Sequence, residues 1–288
     1  MYTGQAGQDR FVVNILKGKM NGYFLEIGSN SPVNISNTFI LEKRFNWKGI
    51  MIEYDPMWLP SYKAIRKNSK HVIKDATKID YKKLLENSPK DIDYLQVDVE
   101  AENGSTIETL EKLDNEILDS YRFAVVTFEH DYYRAGDYKD TRTKSREIFE
   151  KRGYKKVFFD VNDNSPEVVF EDWWVHPALV DLNHVNLFIE TNQKNYKPNA
   201  LTQKSINWAD LIYLNEIALF NKYIVIGSSN TNTKIIRFNQ TIPSDIKFVF
   251  IHGFTDTHSY KVINNELHVT RTDSNRGWTQ NLIGYIFR

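Results

Sequence analysis

The sequence has 288 residues, with 37 Lys and Arg against 37 Asp and Glu, so its formal net charge at pH 7 is zero. That balance gives no overall attraction to nucleic acid or to an anionic membrane, and neither is expected as a partner. Cysteine is absent, which excludes disulfides, zinc–thiolate sites and thiol nucleophiles and favours a cytoplasmic location. Hydrophobic residues make up 41% of the chain, enough for a core, yet no apolar run is long enough to span a membrane.

The first twenty residues predict a polar segment followed by a short amphipathic helix. Apolar side chains from Phe11 to Leu16 recur at helical spacing, and Gly18 suits the end of the helix. Ahead of them, Gln5, Gln8 and Asp9 by themselves indicate a solvated lead-in with a helix cap.

Residues 24–56 predict a strand, a loop, a helix and a second strand. The first strand is predicted at 23–28, the helix at 36–46 and the second strand at 49–54. Gly28 bends the chain after the first strand and Glu53 ends the second, which is typical of a unit that binds a ribose. Gly28 stands alone, so the G-x-G-x-x-G fingerprint of dinucleotide-binding proteins is missing, and Glu26 suits a cationic ligand group. S-adenosylmethionine fits these features better than a dinucleotide; the alternative is an ordinary strand turn with Glu26 at the sheet edge.

Strands and helices alternate up to about residue 190, which predicts a doubly wound α/β domain. The further strands are predicted at 71–73, 94–97, 123–128, 156–160, 168–175 and 185–189, and the further helices at 79–87, 105–113 and 141–152. Sheets of this kind bind ligands at the carboxyl ends of their strands. Nearly every predicted strand end carries an ionisable residue, so the site is expected along that edge.

Two groups of acidic residues follow predicted strands. Asp98 and Glu100 are two apart, so they face one side of a strand end, where paired carboxylates are costly unless solvated, paired or bound to a cation. These two carboxylates suit three roles: a general base, metal ligands, or hydrogen-bond acceptors for the ammonium group of a ligand. The alternative is a solvated strand end. Glu129, His130 and Asp131 follow the most apolar strand, and a histidine between two acids can act as a general base near neutral pH. A purely structural histidine is the alternative.

The adjacent residues Trp173 and Trp174 form another candidate for binding. Neighbouring residues of a regular strand face opposite sides, so one indole is expected to line a surface or a pocket. There it would suit the apolar face of a sugar ring or an adenine. The alternative is that one packs under a helix and the other covers a domain interface.

The composition changes after residue 192. Residues 193–221 are predicted to form a polar linker with a short helix, and residues 222–288 a small β-rich module. The pair Asn264-Asn265 between two apolar runs predicts a hairpin turn. The module is expected to bind the acceptor or to make a homo-oligomer.

Six pieces of residues 4–178 resemble the FkbM family of S-adenosylmethionine-dependent methyltransferases in order and spacing. They read GQAGQDRFV, FLEIGSNSPVNISNTFILEKRFNWKGIMIEYDP, LQVDVEAE, VVTFEHDYY, GYKKVFFD and FEDWWVHP. The resemblance implies a Rossmann-like class I methyltransferase domain over residues 1–192. Its doubly wound sheet would have seven mostly parallel strands, the last of them antiparallel. One departure is Ala101, where family members usually carry a glycine after the DVE triplet.

The resemblance also implies O-methylation of a sugar, glycan or sugar nucleotide, with S-adenosylmethionine as cofactor. The expected cofactor contacts are Gln5, Gln8, Asp9, Glu26, Gly28, Ser29, Asn37, Glu53, Asp75, Ala76 and Asp98. For catalysis, His130 is expected as the base, with Asp98 second and Glu129 beside them. The expected substrate contacts are Glu100, Asp131, Trp173 and Trp174. Mg²⁺ or another divalent cation could lie on Asp98, Glu129 and Asp131.

Two other classes of function remain open at this point. One is an NAD-dependent sugar-modifying enzyme, against which stand the missing glycine fingerprint and the absence of a Tyr-x-x-x-Lys pair in the right region. The other is a non-catalytic glycan-binding protein on a methyltransferase scaffold, against which stand the intact acids at the strand ends.

Overall fold

The computed structural model describes residues 2–162, 167–192, 222–237, 247–252, 258–264, 266–272 and 278–287. Helices α1 to α8 span Gln8–Ile15, Phe39–Phe45, Leu59–Ile65, Tyr81–Leu84, Ser105–Glu116, Tyr132–Ala135, Thr141–Lys151 and Leu182–Asn192. Strands β1 to β7 span Tyr23–Ile27, Lys48–Glu53, Ser69–Ile73, Asp91–Val97, Arg122–Glu129, Lys155–Asn162 and Val169–Val175. Short 3₁₀ turns lie at Pro56–Trp58, Ala76–Lys78 and Tyr138–Asp140.

Strands β1 to β7 form one sheet in the order β3-β2-β1-β4-β5-β7-β6. Strands β1 to β5 are parallel to one another, whereas β7 is antiparallel to both β5 and β6. This confirms the predicted class I methyltransferase fold, with a mostly parallel sheet and its last strand reversed. The strand order changes direction between β1 and β4, which is where open α/β sheets leave a crevice for ligands.

The two adjacent tryptophans lie in the core on opposite faces of the sheet. Trp173 stacks on Phe11 of α1 with ring centroids 4.6 Å apart, and Trp174 packs against Phe149 of α7 at 5.4 Å. Both indoles are fully buried, so the structure differs from the expectation that one would line a surface or a pocket. The reason is that helices cover both faces of β7, so alternate residues on either side become core.

The strand predicted at 185–189 is wrong, because these residues belong to helix α8. Val185 is fully buried, and Phe188, three residues later on the same helix face, lies 6.1 Å from Phe11 between ring centroids. A short apolar run does not by itself distinguish a strand from one face of a helix.

The chain divides into two compact units, of which the first holds the seven-stranded sheet and the second holds the strands after residue 221. Strands β8 to β13 span Lys222–Ser229, Thr233–Arg237, Lys247–His252, His258–Ile263, Glu266–Arg271 and Trp278–Phe287. They form two antiparallel sheets of three strands, in the orders β10-β13-β8 and β11-β12-β9. The predicted hairpin is confirmed by the pairing of Ile263 with Glu266, with Asn264 at a φ of 48°.

Several sequence expectations lie outside the described residues, among them the linker at 193–221 and the hairpin residue Asn265. Within the described ranges, every helix is too short or too polar to serve as a membrane-spanning segment.

Gly28 is expected to be far less tolerant of a side chain than another glycine with the same backbone conformation. Gly28 has a φ of 85°, and a Cβ added there would lie 1.6 Å from the Asp98 carbonyl oxygen. Gly153 has a φ of 79°, and a Cβ added to it would meet nothing within 4 Å, so it isolates the cost of the left-handed backbone. By thermal unfolding, we expect Gly153→Ala to lower Tm by about 2–6 °C and Gly28→Ala by about 10 °C or more. Equal falls in Tm for the two variants would contradict the close approach of Gly28 to the Asp98 carbonyl oxygen.

Candidate active site

A cleft of about 470 Å³ lies at the carboxyl ends of β1, β2, β4 and β5 in the first unit. Eleven of the residues predicted for the site line it: Gln5, Glu26, Gly28, Ser29, Asn37, Glu53, Ala76, Asp98, Glu100, Glu129 and Asp131. Six predicted residues are not among those that line the cleft: Gln8, Asp9, Asp75, His130, Trp173 and Trp174. The fold therefore brings together most of the predicted site and leaves six members outside the lining of the cleft.

Three side chains that line the cleft carry an acceptor oxygen with no hydrogen-bond partner in the described part of the chain. Glu26, Asn37 and Gln96 are each at most 3% exposed, and Glu26 Oε2, Asn37 Oδ1 and Gln96 Oε1 are buried without a hydrogen bond to any described residue. An unpaired buried acceptor costs about 1–3 kcal/mol, so the group is suited to a ligand rich in N–H donors. Gln96 is not among the residues predicted for the site, although it lies two residues before Asp98 and so faces the same side of β4.

Glu26 is the charged member of this group, and its environment holds opposing influences. Burial raises the pKa of Glu26 to about 7, while the charge of Arg66 and hydrogen bonds from Thr38 and Ser29 lower it. The carboxyl group is therefore poised between its two protonation states near neutral pH. Small changes in its surroundings will decide whether it carries a charge.

Glu53 lines the cleft at the end of β2. Its two carboxylate oxygens accept hydrogen bonds from the backbone N–H groups of Asn30 at 2.7 Å and Asp55 at 2.9 Å. These bonds fix the carboxylate and leave it further lone pairs for a ligand. Asp75 instead accepts hydrogen bonds from Thr77 and caps the turn that presents Ala76.

The N-terminal segment is fastened beside the cleft by Gln8 and Asp9, two predicted residues that do not line it. Asp9 accepts hydrogen bonds from the backbone N–H groups of Thr3 at 2.6 Å and Gly4 at 3.1 Å. Gln8 donates to Glu171 Oε2 at 3.0 Å. These contacts hold the loop from which Gln5 reaches the cleft, so Gln8 and Asp9 act on the site through that loop.

The acidic end of the cleft combines Asp98 from β4 with Glu129 and Asp131 from the end of β5. Burial raises the pKa of all three carboxyl groups, and the charge of Asp131 raises the pKa of Asp98 and of Glu129 further. The two carboxyl groups of Asp98 and Glu129 act on each other, which lowers the pKa of Asp98 and raises the pKa of Glu129. Arg134 offers partial compensation at 3.7 Å from Asp131. This end can hold and move a proton or accept hydrogen bonds from a polyhydroxylated ligand.

His130 lies behind the wall of the cleft and is almost fully buried. Its Nδ1 accepts a hydrogen bond from the backbone N–H of Tyr132 at 3.2 Å, and its Nε2 faces Asp172 Oδ1 at 3.4 Å. The structure thus differs from the expectation that the His130 ring faces the acceptor hydroxyl. The ring faces inward because β7 supplies Asp172 on that side.

The described residues that come closest to a metal-ligand set are not the predicted ones. The possible ligand atoms of His130, Asp160 and Asp172 all lie within 4.8 Å of one another. In the described part of the chain, no such group is formed by Asp98, Glu129 and Asp131. Arg146 donates to Asp172 at 2.8 Å and to Asp160 at 2.9 Å, so a guanidinium already provides the positive charge there.

Comparison with models of known protein families gives no match, and no curated protein matches the sequence. Among solved structures, a TehB-like SAM-dependent methyltransferase from Corynebacterium glutamicum is 16% identical with a TM-score of 0.39, covering 59% of this chain and 87% of that one. The fibrillarin pre-rRNA processing protein of Methanococcus jannaschii is 16% identical with a TM-score of 0.40, covering 59% and 76%. A precorrin-6y C5,15-methyltransferase from Geobacter metallireducens is 16% identical with a TM-score of 0.38, covering 58% and 85%. Similarities at this level identify neither an activity nor a ligand for this chain.

The buried carboxyl group of Glu171 should make the protein less stable as pH rises. Burial raises the pKa of Glu171 from 4.5 to about 8, so between these values the folded state keeps a proton that the unfolded state releases. Stability therefore falls across that window in the native protein. Glu171→Gln removes this titration and keeps an oxygen to accept from Gln8 and Trp173.

We expect the Tm of Glu171→Gln relative to the native protein to rise by several degrees between pH 5 and pH 8.5. Glu86→Gln, at an exposed position, is the control and should show no such change. A difference for Glu171→Gln that is the same at both pH values would contradict the prediction.

Proposed function

We propose that this protein is a methyltransferase of the FkbM type that moves a methyl group from S-adenosylmethionine to a hydroxyl of a sugar, glycan or sugar nucleotide. The observation that carries the proposal is the set of unpaired acceptors on Glu26, Asn37 and Gln96 in a cleft at the strand switch point. An ammonium group has three N–H donors and a positive charge, which suits two amide oxygens beside a carboxylate. NAD has a pyrophosphate instead, which the carboxylate of Glu26 would repel.

The two ends of the cleft would bind different molecules, with the cofactor at one end and the acceptor at the other. At the cofactor end, Glu26, Asn37 and Gln96 would hold the amino-acid tail and Glu53 the ribose hydroxyls. S-adenosylmethionine, when bound there, supplies a methyl group already activated by its sulfonium. The acidic end would then receive the acceptor, with Glu100 and Asp131 as hydrogen-bond acceptors for its hydroxyls.

A sugar hydroxyl is a weak acid, so the transfer needs a base at the acidic end. We assign this role to Asp98 ahead of His130, because Asp98 lines the cleft and His130 does not. Asp98 would take the hydroxyl proton as the acceptor oxygen takes the methyl group. Burial raises the pKa of Asp98, which makes its carboxylate a stronger base than an exposed one, and Glu129 beside it would be a second group able to take up the proton.

Calorimetry separates the cofactor classes directly. We expect the protein to bind S-adenosylhomocysteine and not NAD, because only the former carries an ammonium group for the three unpaired acceptors. Glu26→Gln removes the charge with little change of shape and should lower the affinity for S-adenosylhomocysteine by about tenfold. Binding of NAD in preference to S-adenosylhomocysteine would support a nucleotide-dependent sugar-modifying enzyme instead.

Labelled methyl transfer to a panel of sugars, sugar nucleotides and glycans tests the chemistry. We expect label in at least one acceptor, and Asp98→Asn to reduce turnover by about 100-fold or more while S-adenosylhomocysteine still binds. Glu108→Gln, exposed on α5, is the control and should keep native turnover. Loss of turnover in His130→Ala but not in Asp98→Asn would make the histidine the base. Cofactor binding with no transfer to any acceptor would favour a non-catalytic glycan-binding protein.

A further inference from the structure

We infer that Gln96 joins the two ends of the cleft through the two polar atoms of its amide: Oε1 binds the ammonium group of the cofactor, and Nε2 positions the carboxylate of Asp98. The inference rests on the proposed function and extends it. Gln96 becomes a positioning residue for the base as well as a contact of the cofactor, so the loss of one amide affects both ends of the site.

Gln96 lies between the two ends of the cleft because of its place in β4. It pairs with Glu26 of β1 on one side and with Thr127 of β5 on the other. Residues in register on neighbouring parallel strands point to the same face of the sheet, so the Gln96 side chain lies next to that of Glu26. Asp98 follows two residues later on that face. Gln96 is 2% exposed, so packing holds its side chain where it lines the cleft.

The hydrogen bond between Gln96 and Asp98 fixes which end of the amide faces the ligand. Gln96 Nε2 donates to Asp98 Oδ2 at 3.1 Å. A carboxylate only accepts hydrogen bonds, so an amide turned the other way round would set its carbonyl oxygen against Asp98 and lose this bond. Asp98 therefore directs Gln96 Oε1 away from itself, and Oε1 is buried with no hydrogen bond to any described residue. The amide thus presents an acceptor, which an N–H donor of the ligand would satisfy.

The same hydrogen bond restrains the carboxylate of Asp98. The backbone of Asp98 is already held, because its N–H donates to the Ile27 carbonyl oxygen at 2.9 Å and so continues the pairing of β4 with β1. With Gln96 Nε2 on Oδ2, the side chain is restrained as well, and the acceptor hydroxyl meets a base in one orientation. A ligand that donates to Oε1 polarises the amide and strengthens the bond from Nε2, since hydrogen bonds in a chain reinforce one another. Bound cofactor therefore helps to hold the base in place.

Gln96→Met removes both polar ends of the amide with little change in the length of the side chain. Thr127→Val is the matched control, because Thr127 is fully buried in register with Gln96 but does not line the cleft. This control loses the hydrogen bond between Thr127 Oγ1 and Tyr94 Oη at 2.7 Å, so it also removes a buried polar contact. Gln96→Asn takes the place of Gln96→Met if the latter does not fold. Its amide is one methylene too short to reach Asp98 and the cofactor together, so the same results are expected.

Calorimetry tests the contact with the cofactor. The probes are S-adenosylhomocysteine and 5′-methylthioadenosine, which shares the nucleoside and the thioether but has no amino-acid tail. We expect Gln96→Met to lower the affinity for S-adenosylhomocysteine by about tenfold and that for 5′-methylthioadenosine by less than about twofold. Thr127→Val should leave both affinities within about twofold of the native values. Equal losses for the two ligands in Gln96→Met, or no loss for either, would overturn the inference.

Methyl transfer at saturating S-adenosylmethionine tests the positioning of Asp98. Saturation compensates for weak cofactor binding, so a residue that only held the amino-acid tail would change KM and leave kcat unchanged. We expect Gln96→Met to lower kcat by about tenfold and Thr127→Val to leave it within about twofold. In the Asp98→Asn background, Gln96→Met should lower kcat by less than about twofold more, because the base that it positions is already absent.

Two results of the transfer assay would overturn the inference. One is an unchanged kcat in Gln96→Met, and the other is a full further loss of about tenfold when Gln96→Met is added to Asp98→Asn. A native protein that binds neither S-adenosylhomocysteine nor 5′-methylthioadenosine would instead refute the proposed function. The two failures are therefore distinguished by the behaviour of the native protein.

Discussion

The site depends on the close approach of two strand ends, at Gly28 after β1 and Asp98 after β4. The absence of a Cβ at Gly28 lets its backbone lie against the Asp98 carbonyl, where any side chain would collide. This approach keeps β1 and β4 in register to their last residues, with Glu26 paired directly with Gln96. Two buried acceptors on neighbouring strands therefore face one cleft side by side. A wider separation of these strands would leave each acceptor isolated.

The same geometry concentrates buried acids in a chain whose net charge is zero. Burial raises the pKa of Asp9, Glu26, Glu171, Asp98, Glu129 and Asp131. Each such group makes the folded state less favourable at neutral pH than an exposed carboxylate would. Proteins tolerate local destabilisation of this kind where function requires it. A bound cation would lower these costs, so ligand binding and stability should be coupled in this cleft.

The parts of the site that follow from local pattern were predictable, and those that depend on tertiary packing were not. Glu26, Glu53 and Asp98 come at strand ends, and parallel strands put such residues on one edge whatever covers the sheet. The orientation of His130 depends on Asp172 arriving from β7, and the burial of Trp173 depends on Phe11 from α1. Neither partner is near in sequence, so no pattern around the histidine or the tryptophans could reveal it.

Two arginines show why one acidic group is a candidate ligand site and the other is part of the framework. Arg146 contacts Asp172 directly with two nitrogens, and the same carboxylate also accepts the backbone N–H of Asp160 at 2.8 Å. That carboxylate has its charge compensated and its oxygens engaged, so a ligand would have to displace the arginine. Arg66 instead donates to Glu42 and Thr38, its charge lowers the pKa of Glu26, and Glu26 Oε2 is left without a hydrogen bond to any described residue. A buried carboxylate that keeps one oxygen free of hydrogen bonds can still bind a cationic ligand. A carboxylate whose two oxygens are both hydrogen bonded to the protein instead holds neighbouring elements in place.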